Sequence, residues 1–152
     1  MQLTLFTDYA LRMLMYLGAR ADEDSVVPIQ EVADAYGVSK HYLLKVANEL
    51  ARLGYIDAMR GRSGGIRLVV DLSTVRLGDV VRQTEPTRGV LACVGQDESE
   101  CPIHGACGFR GILAEAQAAF YGVLDRYTVA DTVGPKRAQL TVLLGLGAAP
   151  PS

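Results

Sequence analysis

The chain has three cysteines, and all of them fall in one short segment: Cys93, seven residues, Cys101, five residues and Cys107. An odd number of thiols cannot form a complete set of internal disulfides, and no secretory signal is recognisable. Clustered thiols in a reducing compartment are usually metal ligands or redox groups. Structural zinc usually takes a C-x2-C pair, and neither interval here is that short, so zinc is the less favoured metal.

An iron–sulfur cluster suits these wider intervals because a cluster is a larger body than a single ion. Four ligands are the norm, so one ligand must come from a residue other than cysteine. The segment offers His104, Asp97, Glu98 and Glu100 for this role, and a residue brought in by the fold is the alternative. The competing interpretation is that the three cysteines are small core residues and that His104 is a surface side chain.

The net charge of −2 conceals a basic segment. Between Lys40 and Arg67 there are six basic and two acidic residues, a local charge of +4, whereas the remainder of the chain carries −6. One basic stretch on an acidic body is typical of a protein that touches nucleic acid with one face. No apolar run approaches the roughly 20 residues that span a bilayer, so we expect a cytoplasmic globular protein.

The first helix is predicted over Met1 to Arg20, where apolar side chains recur at helical spacing. Thr7 is placed to cap this helix, and Asp8 falls in its first turn. Acidic side chains are favoured near the positive end of the helix dipole. Taken alone, Asp8 is therefore better explained as a helix-start residue than as a metal ligand.

A helix-turn-helix pattern follows the first helix. One helix opens at Pro28, Gly37 makes a short turn, and Ser39 caps the next helix. The second helix of such a motif enters the major groove of DNA. Its first turns should supply donors to phosphates and base edges, and the candidates are Ser39, Lys40, His41, Tyr42 and Lys45.

Two short strands, Tyr55 to Met59 and Ile66 to Val70, are predicted after that helix, joined by a glycine-rich tip with two arginines. This pattern is typical of the wing of a winged helix, in which Arg60 and Arg62 can enter the minor groove. A nucleotide-phosphate loop is the rival interpretation. It is disfavoured because no helix opens after the tip and no Gly-Lys-Ser/Thr is present.

The longest amphipathic pattern runs from Phe109 to Tyr127 and carries more apolar surface than one small subunit can cover. We therefore expect it to pack against its twin in a homodimer. A short helix is predicted over Leu77 to Gln83, and Thr128 with Asp131 predicts a capping box at a final helix.

The expected fold is mainly α: a winged helix-turn-helix DNA-binding domain with a long C-terminal dimerisation helix. The expected divisions are residues 1–85 for the DNA-binding domain, 86–108 for a cluster-binding loop, 109–133 for the dimerisation helix and a short final helix, and 134–152 for a mobile tail.

Four stretches carry a resemblance to a known family. They are the opening Met1-Gln-Leu-Thr-Leu-Phe-Thr-Asp-Tyr-Ala-Leu-Arg12, the wing Arg60-Gly-Arg-Ser-Gly-Gly-Ile-Arg-Leu68, the three cysteines, and Tyr127-Thr-Val-Ala-Asp-Thr-Val133. Together they resemble the NsrR nitric-oxide-sensing repressors, which are relatives of the iron–sulfur regulator IscR. The resemblance covers roughly residues 1–133. It implies a homodimeric winged-helix repressor that binds a near-palindromic DNA operator and has no enzymatic activity.

The resemblance also implies an iron–sulfur cluster, 4Fe-4S in preference to 2Fe-2S, with Cys93, Cys101 and Cys107 as ligands. The aspartate of the opening motif falls on Asp8, which by resemblance supplies the fourth ligand from the other subunit. Nitric oxide would attack the cluster, release the operator and derepress nitric-oxide detoxification genes. Two alternatives stay open: a regulator of the same fold that senses iron or redox state, through zinc or through 2Fe-2S with His104, and a thiol or iron–sulfur redox enzyme or electron carrier.

Overall fold

The computed structural model describes residues 2–20, 25–59, 61, 64–86, 89–90, 93–94 and 101–146. In chain order its elements are α1 (Leu5–Ala19), α2 (Ile29–Tyr36), α3 (Lys40–Arg52), β1 (Ile56–Met59), β2 (Gly65–Leu68), α4 (Leu77–Thr84), α5 (Gly108–Leu124), α6 (Val129–Val133) and α7 (Arg137–Leu143). Short 3-10 turns lie at His104–Ala106 and Gly134–Lys136. The prediction of a mainly helical fold with a helix-turn-helix and a small hairpin is confirmed. None of the helices in these ranges is long and apolar enough to cross a lipid bilayer.

Helix α1 lies at the centre of the core because one of its faces is apolar throughout. Ala10, Met13, Leu14 and Leu17 are buried on this face, at intervals of three, one and three residues. They share one core with buried side chains of α3, β2, α4 and α6. Helix α1 therefore connects the helix-turn-helix to the helices that follow the hairpin.

The turn between α2 and α3 depends on Gly37. Its backbone is left-handed, with φ 63° and ψ 37°, a conformation that glycine adopts without the steric cost of a Cβ atom. Pro28 occupies the N-cap of α2, so this helix begins one residue later than predicted. Ser39 is the N-cap residue of α3, as predicted, but its side chain makes no capping hydrogen bond.

Strands β1 and β2 form an antiparallel hairpin in which Ile56 lies opposite Leu68. Val27 extends this sheet by one bridge to Ile66, with both N–H···O distances at 2.8 Å. A Cβ atom at Gly65 would lie 2.3 Å from the carbonyl oxygen of Val27, so a glycine is required at this position. The hairpin is thereby attached to the segment that leads into α2.

The C-terminal end of α5 is joined to α4 by an ion pair and by backbone hydrogen bonds. The Nη1 and Nη2 atoms of Arg82 donate to the two carboxylate oxygens of Asp125, at 2.7 and 2.6 Å. The Leu77 N–H donates to the carbonyl oxygen of Tyr127 at 3.0 Å. A Cβ atom at Gly78 would lie 1.8 Å from Asp125 Oδ1, so the two helices approach closely only because this residue is glycine.

Two predicted helix caps have different outcomes. Thr128 and Asp131 form the predicted capping box, with the Asp131 N–H donating to Thr128 Oγ1 and the Thr128 N–H to Asp131 Oδ2. The predicted cap at Thr7 is wrong, because the N-cap is Thr4, whose hydroxyl accepts from the Thr7 N–H at 3.3 Å. Thr7 is instead buried, and its hydroxyl accepts a hydrogen bond of 2.9 Å from Thr84.

Residues 134–146, which belong to the predicted tail, contain a 3-10 turn and α7. Arg137 donates to the carbonyl oxygen of Gly18 at 2.7 Å, near the C-terminus of α1. Helix α1 has no basic residue in its own last turn, so Arg137 supplies the cation favoured there. Leu144 and Leu146 pack against the core. The last six residues of the chain lie outside the described ranges.

Candidate DNA-binding face and cysteine site

Helix α3 turns one face to the core and the opposite face away from it. Its buried side chains form the predicted apolar stripe, Leu43, Val46, Ala47 and Leu50. Of the predicted DNA-contact residues, four are exposed: Ser39, Lys40, His41 and Lys45. Because the Ser39 side chain makes no capping bond, its hydroxyl is available to a phosphate at the positive end of the helix.

Tyr42 has a different environment from those four residues. It is half-buried, and its ring makes edge-to-face contacts with Tyr9 at 5.4 Å and with Phe6 at 6.4 Å between centroids. The ring therefore packs between α3 and α1. The structure places Tyr42 in the contact that orients α3, and this packing role was missed because Phe6 and Tyr9 are distant in sequence.

The hairpin tip lies beside the exposed face of α3. Gly61 has φ +115°, a backbone conformation that requires glycine. Arg60 and Arg62, predicted to enter the minor groove, lie outside the described residues. Between α3 and the hairpin there is a groove of about 620 Å³, whose lining includes Lys40, Leu44, Asn48 and Met59.

The beginning of the cysteine segment lies against α5. The Val90 N–H donates to Gln117 Oε1, and Arg110 Nε donates to the carbonyl oxygen of Cys93, both at 2.9 Å. Cys93 is half-buried, and its thiol is not in a disulfide. These bonds hold the backbone at Cys93 beside the first turns of α5. The carboxylate candidates in the segment, Asp97, Glu98 and Glu100, lie outside the described residues.

The 3-10 turn at His104–Ala106 separates the other two thiols. Cys101 is exposed and Cys107 is half-buried at the N-cap position of α5, and neither is in a disulfide. The Nε2 atom of His104 is buried and has no hydrogen-bond partner in the part of the chain described. It borders a cavity of about 580 Å³ that Cys107 and Arg110 also line. A buried polar atom without a partner is destabilising, so this nitrogen is available to a ligand.

Asp8 lies in the first turn of α1, as predicted, and is half-buried. Its carboxylate accepts a hydrogen bond of 2.9 Å from Arg12 Nε, and this bond raises the pKa of the Arg12 guanidinium. Arg12 also lies over the rings of Tyr9 and Tyr36, at 6.0 and 5.7 Å from their centroids. Asp8 is therefore held at the surface of α1 by one exposed ion pair, which contributes little stability.

The described residues of one chain do not form a closed metal site. Across residues 2–20, 25–59, 61, 64–86, 89–90, 93–94 and 101–146, no three His, Cys, Asp or Glu side chains are grouped closely enough to hold a metal ion. The donor set nevertheless fits an iron–sulfur group in its chemistry, because it offers three thiols outside disulfides and an unpartnered imidazole nitrogen. Binding would require the thiols to converge.

The model of the Rrf2 family, described as iron-dependent transcriptional regulators, matches residues 3–135. The chain belongs to the Rrf2 family. The HTH-type transcriptional regulator NsrR of Geobacillus kaustophilus (strain HTA426) is 44% identical over 144 residues, which cover 95% of this chain and 97% of that protein. NsrR of Shouchella clausii (strain KSM-K16) is 42% identical over 133 residues, covering 88% and 89%.

Solved structures of Rrf2-like regulators share this fold. CymR (YrzC), the global cysteine regulator of B. subtilis, superimposes with a TM-score of 0.69 at 22% identity, covering 89% of this chain and 98% of that one. T. potens IscR gives a TM-score of 0.66 at 20% identity, covering 89% and 88%. These two structures show the shared fold, and the NsrR relatives confirm the predicted resemblance. This Rrf2 protein is a transcriptional repressor of the NsrR kind, and the prediction that it is not an enzyme is confirmed.

Helix α5 of this Rrf2 protein buries none of its residues within one chain. Phe109 and Ile112 are 60% and 65% exposed, and Val123 is 44% exposed. Large apolar side chains at this density on one helix mark an interaction surface. They support the predicted dimerisation helix, which remains a prediction.

Three residues near the candidate site of this Rrf2 protein were missed by the sequence analysis. Glu85 Oε1 accepts from the N–H and the hydroxyl of Thr4, at 2.8 and 3.0 Å, and so ties the start of α1 to the end of α4. Leu44 and Asn48 are exposed on α3. The helical spacing places Leu44 and Asn48 off the apolar stripe, so their exposure could have been predicted. The hydrogen bonds of Glu85 join residues 81 positions apart, and no local pattern predicts them.

Proposed function

We propose that this Rrf2 protein is a cytoplasmic, homodimeric repressor that binds an iron–sulfur cluster, of 4Fe-4S type, and responds to nitric oxide. One observation carries the proposal: the helix that holds Asp8 also contacts the start of α3. Phe6 and Tyr9 flank Asp8 in α1, and both rings touch Tyr42. Whatever binds the Asp8 carboxylate therefore acts on the helix that orients the proposed DNA-reading face.

The proposed ligands are Cys93, Cys101 and Cys107 of one subunit and Asp8 of the other. Within the described residues of one chain these groups are not gathered into a metal site, so cluster binding would have to bring the three thiols together. When bound, the cluster would supply iron that reacts with nitric oxide. The chain's own part is to hold the backbone of Cys93 with Arg110, to place Cys107 at the start of α5, and to present Asp8 on α1.

We propose that α5 pairs with α5 of a second copy. This arrangement covers Phe109, Ile112 and Val123, which are exposed in one chain. It also places two copies of α3 at a fixed separation, so that they fit major-groove half-sites of a near-palindromic operator. The ion pair of Arg82 with Asp125 would transmit the position of α5 to the DNA-binding domain, residues 1–85 in the proposed division.

The proposed switch is a shift between two arrangements of the dimer. With Asp8 of one subunit bound beside the cysteines of the other, the two DNA-binding domains are held in the spacing that fits the operator. Loss of this link releases them, and genes for nitric-oxide detoxification are expressed. The link must favour the DNA-fitting arrangement by a few kcal/mol to change occupancy substantially.

Anaerobic reconstitution tests this proposal. The cluster-loaded, apo and nitric-oxide-treated forms are compared for iron and sulfide content, visible absorption and operator affinity at one salt concentration. The expected result is a brown protein that binds a specific operator tightly and loses that affinity after nitric oxide. Equal operator binding by the apo and loaded forms would reject the proposal.

One observation favours a second candidate, a regulator of the same fold that senses iron or redox state with His104 as the fourth ligand. That observation is the state of His104: its Nε2 atom is buried and lacks a hydrogen-bond partner among the described residues. His104 also borders the same cavity as Cys107. In this case the ligand set is contained in one subunit, and Asp8 is left with Arg12. Metal and sulfide analysis of the Asp8 and His104 variants separates the two candidates.

A further inference from the structure

The outward face of α3 carries more than the cationic side chains predicted to bind DNA. His41, Lys45 and Asn48 follow one another at intervals of four and three residues, opposite the buried stripe, and Leu44 borders them. The Lys45 ammonium group can bind any phosphate, whatever the base sequence. Leu44 and Asn48 carry no charge, so attraction to phosphates does not account for these two exposed residues.

Leu44 is 40% exposed, whereas its neighbour Leu43 and the later Leu50 are almost completely buried, at 1% and 0%. Leu44 lies at the edge of the groove of about 620 Å³ between α3 and the hairpin. An apolar side chain between Lys40 and Lys45 suits a ligand that carries both negative charge and apolar groups. Duplex DNA is such a ligand, because it presents phosphates and the methyl groups of thymine.

Asn48 is the amide on this face that the described protein leaves unused. It makes no hydrogen bond within the described residues, whereas nearby polar side chains are engaged. Arg52 donates to Glu49 at 2.8 and 2.6 Å, and Gln30 donates to Asp34 at 2.7 Å. An asparagine amide presents one donor and one acceptor side by side, which matches N6 and N7 of adenine in the major groove.

We propose that Asn48 and Leu44 set the base specificity of this repressor: Asn48 binds adenine, and Leu44 contacts the methyl group of a nearby thymine. The two residues are four positions apart, so they lie about 6 Å apart along the helix axis, or about two base-pair steps. Each half-site then contains two A·T pairs at this separation. The inference rests on the proposed function, because it requires α3 to lie in the major groove.

The first experiment measures discrimination. Operators are obtained by selection from random duplexes with the cluster-loaded homodimer, and each base pair of one half-site is then exchanged. The wild type should lose affinity about 5- to 160-fold when the adenine read by Asn48 is replaced by guanine. Asn48→Ala should remove this discrimination at that one position and leave the effects of the other exchanges unchanged.

The second experiment isolates one methyl group. Replacing the proposed thymine by deoxyuridine removes only its C5 methyl and should weaken wild-type binding about fourfold. Leu44→Ala should bind the two duplexes equally. Lys45→Ala is the matched control, because loss of a phosphate contact weakens binding to all duplexes by a similar factor and keeps the deoxyuridine effect. All three positions are exposed, and unchanged thermal unfolding would show that the variants fold.

Two outcomes overturn the inference in distinguishable ways. Sequence-specific binding with discrimination that is unaffected by Asn48→Ala and Leu44→Ala would reject the base assignments and leave the proposed function standing. Selection that returns no preferred sequence for the cluster-loaded protein would reject both.

Discussion

Arg82 and Asp125 face each other across the joint between α4 and α5, with two hydrogen bonds of 2.7 and 2.6 Å. The Arg82 guanidinium also lies over the Tyr121 ring, 4.4 Å from its centroid. Gly78 lies directly beneath this pair, where a Cβ atom would meet Asp125 Oδ1 at 1.8 Å. The joint that connects the proposed dimerisation helix to the DNA-binding domain is therefore both tight and charged.

Gly78→Ala should separate α4 from α5. Because the added methyl group clashes with Asp125, we expect a loss of about 1–3 kcal/mol in the free energy of unfolding, measured by urea denaturation. We also expect weaker operator binding by the cluster-loaded dimer. Gly134→Ala is the control, since nothing lies within 4 Å of that position and its backbone is helical. Equal loss in both variants would contradict the clash.

Acid should weaken the same joint. The hydrogen bonds from Arg82 hold the pKa of Asp125 below its ordinary value. Since the folded-state pKa is the lower one, the stabilisation is present above the unfolded-state pKa of about 3.9 and is lost as the pH falls through the folded-state pKa. Asp125→Asn should therefore be less stable at neutral pH and lose less stability on acidification. The difference between urea midpoints at about pH 7 and about pH 3 measures this loss of stability. Asp34→Asn is the control, because Asp34 forms no ion pair among the described residues.

The fourth ligand can be decided by substitution. We expect Asp8→Ala to release iron and sulfide during anaerobic gel filtration, while His104→Ala retains both, because the proposed site takes Asp8 from the partner. Asp8→Cys should keep the cluster, since a thiolate can replace the carboxylate. The reverse pattern, with loss only in His104→Ala, would favour the candidate that keeps all ligands in one subunit.

The role of Tyr42 can be separated into its ring and its hydroxyl. Tyr42→Phe keeps the edge-to-face contacts with Tyr9 and Phe6 and should bind the operator almost as well as the wild type. Tyr42→Ala removes these contacts and should lower both operator affinity and stability. Loss of a fully buried aromatic side chain costs about 3–5 kcal/mol, and we expect a smaller loss here because the Tyr42 ring is half-buried. Fluorescence anisotropy and thermal unfolding provide the two readouts. A large effect of Tyr42→Phe on affinity alone would show a direct DNA contact through the hydroxyl.

The predicted wing contact is testable by its salt dependence. Arg62→Ala should weaken operator binding and reduce the slope of log affinity against log salt by about 0.9, if one phosphate contact is lost. Arg67→Ala is a suitable control, because this guanidinium is already paired with Asp57 at 3.4 Å. An unchanged slope in Arg62→Ala would remove that residue from the interface.

Local signals were sufficient for the helix-turn-helix and the capping box. Gly37, Thr128 and Asp131 act through bonds that span only a few residues, and these bonds follow from residue type and spacing. The helix start was less predictable. Thr4 and Thr7 are both suitable cap residues by type. A contact with Thr84, 77 positions from Thr7, accompanies the burial of Thr7, and Thr4 is the cap.

The candidate site was predictable in its chemistry and not in its geometry. The cysteine spacing points to thiols that are not in disulfides, and the basic segment includes Lys40 and Lys45, which are exposed on α3. Neither periodicity nor spacing could show that Tyr42 packs on α1 or that residues after 134 return to α1, because tertiary contacts decide both. In the proposed site the approach of Asp8 to the thiols also depends on a second chain, whose position follows from no local pattern in the sequence.

Helix α5 keeps all seventeen of its residues at least partly accessible in a lone subunit. In a dimer of the proposed kind, a newly synthesised chain would offer this segment to cellular proteases until it meets a second copy. Degradation would then remove unpaired chains selectively. Only assembled dimers would persist. The concentration of active repressor would then increase more than in proportion to the rate of synthesis.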